Sequence, residues 1–431
     1  MNNLYGNTDL VFDEMVKEAN NGNANAQFSI GTLYDTGDGV DKDETEAACW
    51  FLKAANQGHV KAQYNLSIMY LYGQGVPKNE SDALNWCIKA ADQGLGKALF
   101  DLGVIYNHGD AASWCTKAAN QGFVVAQKIL GANYKCGDGV PQSDTEAVKW
   151  FLKAAEQGDA ESQYSLKLMY QSGEGVDQSD IEAANWCIKA AHQGLVEAQY
   201  DLGIMYIHGV GVSQDYREAA QWLTQASHQG SAPAQYNLGL MYIYGHGLPQ
   251  SYGEAIKWLT DSAHQGRVDA QYELGLIHEN GQGVSQNFTE AMRWYLEAAN
   301  QGFPKAQTAV GVMYERGIGV LQNDSEAFSW YLKAANQNYA QAQFNLGARY
   351  LMGAGVSQDY KDAAFWFLKA AHQGHFEAQE NIGLMFERGD GVPQNETEAQ
   401  NWYQKAAAQA SENIDGQGGV IYQTPRNTPY S

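Results

Sequence analysis

The sequence predicts an all-α fold, a solenoid of about eleven two-helix repeats preceded by an N-terminal half-repeat. Three observations predict it. The eleven tryptophans, from Trp50 through Trp86, Trp114 and Trp150 to Trp402, are spaced 36 residues apart, with one gap of 28 between Trp86 and Trp114. A fixed period of this length means one supersecondary unit stacked many times. Each period holds two stretches of helical spacing separated by glycine-rich stops. The hydrophobic content of 44% suits a packed protein, yet no apolar run approaches the ~18 residues of a membrane helix. The length of 431 residues would ordinarily suggest two or three domains. A solenoid replaces that expectation, because it grows by adding repeats and has no single core.

The N-terminal segment comes first. Lys17 to Gly22 reads KEANNG and matches KAANQG at Lys53, 36 residues on. The tryptophan position of this half-repeat holds Glu14. Residues 1–22 therefore read as a cap with a polar outer face, as stacked repeats require. The repeats occupy 23–409. In the first helix of each, Ala234, Leu238 and Tyr242 show the four-residue spacing of one buried face. Gly239 sits among them and recurs in most copies, although a glycine inside a helix costs ~1 kcal/mol relative to alanine. Its recurrence predicts close backbone approach between neighbouring helices. Ser67 and Lys167 break the pattern, and Lys167 is expected to snorkel outward or to loosen its contact.

The first helix ends at a GxGV or GxGL loop, found ten times. Phosphate-binding glycines follow a strand and open a helix. These follow a helix, so they terminate it and turn the chain. The second helix carries a start signal seven residues before its tryptophan, such as Asp43, Asn79, Ser143 or Ser251. An acid follows three residues later, such as Glu46, Asp82, Glu146 or Glu254. That spacing matches a capping box, with the acids at the favourable end of the helix dipole. The helix stops at a QG pair, and one copy has Asn338 in place of the glycine. Asparagine is the usual substitute in a left-handed cap. The repeat near 109–122 lacks eight residues between Gly109 and Trp114, which predicts a kink, hinge or docking notch, or harmless drift. After Gln409 the pattern stops, and 410–431 reads as a disordered polar tail. A short partner motif at Val420, Ile421 and Tyr422 would fit within it.

Charge and cysteine content narrow the function. A net charge of -22 argues against nucleic acid and anionic membrane surfaces as partners. It predicts a basic or neutral protein or peptide partner. The start, MNNLYGNTDLVFDEM, has neither a basic n-region nor a continuous apolar stretch, so the expected location is cytoplasmic. Of five cysteines, Cys87, Cys115 and Cys187 directly follow a tryptophan, where other copies have Phe51, Leu223 or Tyr295. They read as small core residues.

The pattern AxAQYNLGxMYxxGxGVxQDxxEAxxWxxKAAxQG resembles the Sel-one-like repeat (SLR), a relative of the tetratricopeptide repeat, from about Asp9 to Gln409. The resemblance implies helix pairs wound into a right-handed superhelix, with the first helix of each pair lining the concave side. It implies a non-catalytic adaptor that assembles protein complexes. A cysteine-rich branch of the family is associated with β-lactam binding or hydrolysis. That branch has two cysteines per repeat and this chain does not, which makes the enzymatic alternative a poor fit.

No HExxH, CxxC, EF-hand or GxSxG signature occurs, so no catalytic, metal or cofactor site is expected. His192, His228, His264 and His372 precede the QG stop, where they are expected to bond terminal carbonyls. What remains is a stripe on the first helices, beside the packed face. It reads Asn65, Met69 and Tyr72; Asp201, Met205 and His208; Asn237, Met241 and Tyr244; Asn345, Arg349 and Met352. Asparagines there could bond a peptide backbone, while methionine and tyrosine supply adaptable contact area. The competing reading packs the methionines between repeats and leaves the polar residues solvated.

Overall fold

The computed structural model describes residues 6–95, 97–98, 101 and 111–415. Among them are 22 helices and no strand, the α-solenoid the periodicity predicts. Contacts divide the chain into two compact halves, residues 1–214 and 215–431.

Nearly every helix is 13 residues long, because the stops recur with the repeat. First helices such as Val60–Tyr72 and Ala232–Tyr244 end at a left-handed glycine, Gly73 or Gly245. Second helices such as Glu44–Asn56 and Tyr252–His264 follow. The expected caps are present: Asp43 Oδ1 accepts from the Thr45 and Glu46 amides at 2.9 and 3.0 Å. The second half of the capping box is replaced. The Asp43 amide donates to the Tyr34 carbonyl, and the Asn79 amide to that of Tyr70, each at 2.9 Å. This bond closes the loop between the two helices of a repeat, leaving the acid to act through the helix dipole. Asn338 has φ 64°, the left-handed conformation its place in the QG series predicts.

The core is a succession of small clusters rather than one mass. Ala291, Met292 and Tyr295 of one second helix meet Val310 and Met313 of the next first helix, and Trp330 of the following second helix closes the layer. Each such indole therefore seals the layer laid down by the repeat before it. Trp50 does the same against Ala19, Ala26 and Ile30. In the half-repeat helix Gly6–Asn20 the tryptophan position, Glu14, is exposed. Buried glutamines tie the layers further. Gln63 Nε2 donates to the Ala55 carbonyl of the preceding repeat at 3.1 Å, and its Oε1 accepts from Gln93 at 2.8 Å. The same pair of bonds recurs at Gln271 and Gln301.

The first-helix glycine has a different cause from the one expected. A Cβ at Gly239 would fall 2.7 Å from Leu259 Cγ, and one at Gly31 the same distance from the Phe51 ring. The first intruder is a side chain of the same repeat's second helix; at Gly239 the Ala255 carbonyl follows at 3.4 Å. Where the glycine is lost, the opposing residue shrinks. Ser67 faces Cys87 and Lys167 faces Cys187, all four buried. Lys167 neither snorkels outward nor loosens the layer: its Nζ lies 2.6 Å from Asp201 Oδ2 on the next first helix. Backbone approach does govern the GxG loop. Gly247 has φ 71°, and a Cβ there would overlap the Tyr216 carbonyl of the previous second helix. The loop is thus a packing device between repeats.

The shortened second helix, Ala111–Asn120, has 10 residues. Gly109 lies outside the described residues, as do 416–431 with Val420, Ile421 and Tyr422. At the C-terminus the helix Glu396–Asp415 runs past Gln409, because Ala410 stands where other repeats have the stopping glycine. Its outer face carries exposed Gln400 and Gln404 where the previous second helix has Ala364 and Leu368.

Candidate functional site

The four predicted triplets share three positions of the repeat with different surroundings. Asn65, Asp201, Asn237 and Asn345 are half-buried. Met69, Met205, Met241 and Arg349 are buried, at 3, 8, 4 and 7% exposure. Tyr72, His208, Tyr244 and Met352 are exposed. Helical geometry explains this: the middle position turns toward the neighbouring first helix, and the last reaches the end of the hairpin. Several polar members already have partners. Asp201 accepts from Tyr164 Oη at 2.8 Å besides pairing with Lys167. Asn237 Nδ2 donates to the Pro233 carbonyl at 2.9 Å, and Asn345 Oδ1 accepts from Gln341 at 3.1 Å.

The last triplet lies in a groove of about 540 Å³ that spans the first helices Val268–Asn280, Pro304–Arg316 and Ala340–Met352. Its floor is Ala309, Val312 and Ala348, and aromatic walls come from Tyr272, Tyr339 and Phe344. Arg349 occupies a row held by methionine in Met241 and Met313. Its guanidinium bonds Glu315 and lies 3.3 Å from Asp324 Oδ1. Burial lowers its pKa, and two acids are what make a buried guanidinium tolerable. Glu315 also accepts from Tyr331 Oη at 2.5 Å, as Glu279 does from Tyr295 Oη.

These tyrosine–glutamate pairs were legible in principle. Tyrosine follows the tryptophan at Tyr295, Tyr331 and Tyr403, and in each of those repeats Glu279, Glu315 or Glu387 stands 16 residues earlier. Where phenylalanine follows instead, as at Phe51 or Phe367, the same position is Asp35 or Leu351. Beside the groove, burial pushes the Glu273 carboxyl up to about 7, opposed by Lys305 and reinforced by Asp269. Burial also raises the phenols of Tyr272 and Tyr236.

Three of the four histidines before QG meet rings, where bonds to terminal carbonyls were expected. His228, His264 and His372 lie 5.3, 5.9 and 5.1 Å from the next repeat's Trp258, Trp294 and Trp402. At other indoles a lysine is the neighbour: Lys53 Nζ stands 3.7 Å over Trp50, an arrangement repeated at Lys153 and Lys333. All five cysteines are free thiols, Cys49 and Cys136 exposed and the other three buried. Burial pushes the Cys87 and Cys187 thiols up to about 12, which keeps them protonated. Among the described residues no group of three His, Cys, Asp or Glu side chains is placed to hold a metal. No helix among them is long and apolar enough to cross a membrane.

The Sel1 repeat family model matches eleven consecutive segments, from 24–59 through 96–123 to 376–411. The chain belongs to the Sel1 repeat family. The matched segments include the shortened repeat, which the family model takes as a unit of its own. The chain is similar to the uropathogenic Escherichia coli protective antigen c5321, whose crystal structure displays an SLR fold. Identity is 35% over 95% of this chain and 91% of that one, with a TM-score of 0.81. It is also similar to a Sel1 repeat protein from Oxalobacter formigenes, at 34% identity over 74% of this chain and 91% of that one, TM-score 0.60. Comparison with curated proteins finds no match. Sel1 repeat proteins generally act as protein-interaction scaffolds.

Proposed function

We propose that this Sel1 repeat protein is a non-catalytic adaptor that holds a protein or peptide along the face formed by its first helices, the concave side of the expected superhelix. The observation that carries this reading is the repetition of one surface. Asn65, Asn237 and Asn345 recur half-buried at one position of the repeat, and Tyr72, Tyr244 and Met352 recur exposed at another. Tyrosine and methionine at such exposure supply contact area that adapts to a partner. Long repeat surfaces suit extended partners. The net charge of -22 favours a basic or neutral one.

The test is capture of partners from a lysate of the source cells by the full chain and by the Asn237→Ala/Tyr244→Ala variant. Weaker capture with unchanged far-ultraviolet circular dichroism supports the reading. Equal capture rejects this stripe as the binding surface.

A further inference from the structure

In three repeats the third residue of the recurring Ala-Gln-aromatic run is a ring lodged between two others. Phe28 lies 5.7 Å from Phe51 and 4.5 Å from His59. Tyr272 lies 5.5 Å from Tyr295 and 5.6 Å from Phe303. Phe344 lies 5.6 Å from Phe367 and 4.7 Å from His375. The flanking residues are always the one after the tryptophan and the one opening the next first helix. In one repeat of the second half both flanking rings are present, Tyr331 and Tyr339, but the ring between them is replaced by Thr308. The Thr308 hydroxyl turns away to the Pro304 carbonyl at 2.8 Å. The next residue is shortened as well, since Ala309 stands where the neighbouring repeats have Glu273 and Asn345.

These two adjacent losses lie in the groove of about 540 Å³, a volume typical of small-ligand pockets. We propose that the groove over Thr308 and Ala309 receives an aromatic side chain, phenylalanine or tyrosine, projecting from a polypeptide partner. The stack itself shows what chemistry fits, because its own rings fill the equivalent position elsewhere. Thr308 is 6% exposed, so the incoming ring seats against Ala309 and Val312 with Thr308 at its inner edge. Tyr272, Tyr339 and Phe344 then offer the edge and face contacts that aromatic pairs prefer. Charge does not set the preference. Glu315 is already bonded by Tyr331 and Arg349, and Glu279 by Tyr295, while Lys305 and Arg316 offset the charges of Glu279 and Glu377. The proposal rests on the adaptor reading and names the anchor of the partner at one place.

The experiment uses the full chain labelled with ¹³C at the methionine methyls, because Met313 and Met352 both line the groove. The probes are the N-acetyl amides of phenylalanine, leucine and arginine. The phenylalanine amide is expected to shift the Met313 and Met352 methyls at a concentration at least five-fold below that needed for the leucine amide, and the arginine amide to leave them in place. Thr308→Tyr, which supplies the chain's own ring, is expected to abolish the shifts. Ala309→Gln is the second variant and is expected to weaken them at least ten-fold. Equal response to leucine or arginine overturns the aromatic preference. Silent methyls, or shifts that survive in both variants, overturn the pocket. Capture of a partner by a protein whose methyls stay silent leaves the adaptor reading standing and removes only this anchor.

Discussion

The pairing of Lys167 with Cys187 can be tested as a unit. At Gly31, Gly347 and Gly239 a large side chain fills the space over the glycine: Phe51, Phe367 and Leu259. The gap from a hypothetical Cβ to those atoms is 2.7–2.8 Å, well inside carbon–carbon contact. A side chain on the first helix and a ring on the second therefore cannot share the layer. Cys187→Phe places a ring against Lys167, which is 4% exposed and held by Asp201. Overpacking of this kind costs about 1–3 kcal/mol. Lys167→Gly alone costs ~1 kcal/mol of helix propensity. It also opens a void beside Cys187 and strips Asp201 of its cation, for a total of roughly 2–4 kcal/mol. The double variant restores the arrangement of the other repeats, because the ring fills the void. Its destabilisation should fall short of the sum of the two by about 0.5–3 kcal/mol, the range found for residues in contact. Urea denaturation followed at 222 nm on the four proteins measures this, with m compared between variants to check that the cooperative unit is unchanged. Additivity within ~0.5 kcal/mol would refute the argument that the two positions compete for one volume.

Two further outcomes follow from the geometry. Glu273 carries a carboxyl whose pKa rises from 4.5 to about 7 in the fold, chiefly through burial. The folded state therefore binds the proton more tightly than the unfolded chain. Its charge costs nothing below about pH 4.5, begins to cost as pH climbs through the window, and costs most above about pH 7. A fully dry site would make this roughly 3 kcal/mol, and solvent at the half-buried group reduces it to about 1–2 kcal/mol. Glu273→Gln should stabilise the protein by that amount at pH 8 and by nearly nothing at pH 4.5 in paired thermal melts; equal gains at both pH values would remove burial as the cause. The glycines offer a second contrast. Gly266→Ala meets only the backbone penalty of φ 87°, with no atom within 4 Å of the new Cβ, and should cost about 1–2 kcal/mol. Gly247→Ala adds overlap with the Tyr216 carbonyl and should cost at least about 1 kcal/mol more. Chemical denaturation of the two variants decides it, and equal losses would show that the GxG loop is not held by contact between repeats.

The sequence by itself determined the architecture, because everything that builds a hairpin is local. Helix length follows from where caps and left-handed glycines stand, and Asp43, Gly73 and Asn338 act within a few residues of themselves. Periodicity then dictates stacking, since each apolar face recurs at the same angle and can be buried only by its neighbours. The tertiary structure decided what lies opposite what. That Gly239 yields to Leu259, that Lys167 finds Asp201, and that Arg349 joins Glu315 to Asp324 are contacts between residues 20 to 34 positions apart. Spacing along one helix carries no information about them. The stripe shows the same boundary: its twelve residues share a face by helical arithmetic, yet Met241 is 4% exposed and Tyr244 50%. Only the neighbouring helix, which covers one and stops short of the other, separates a packed position from a surface that another molecule can reach.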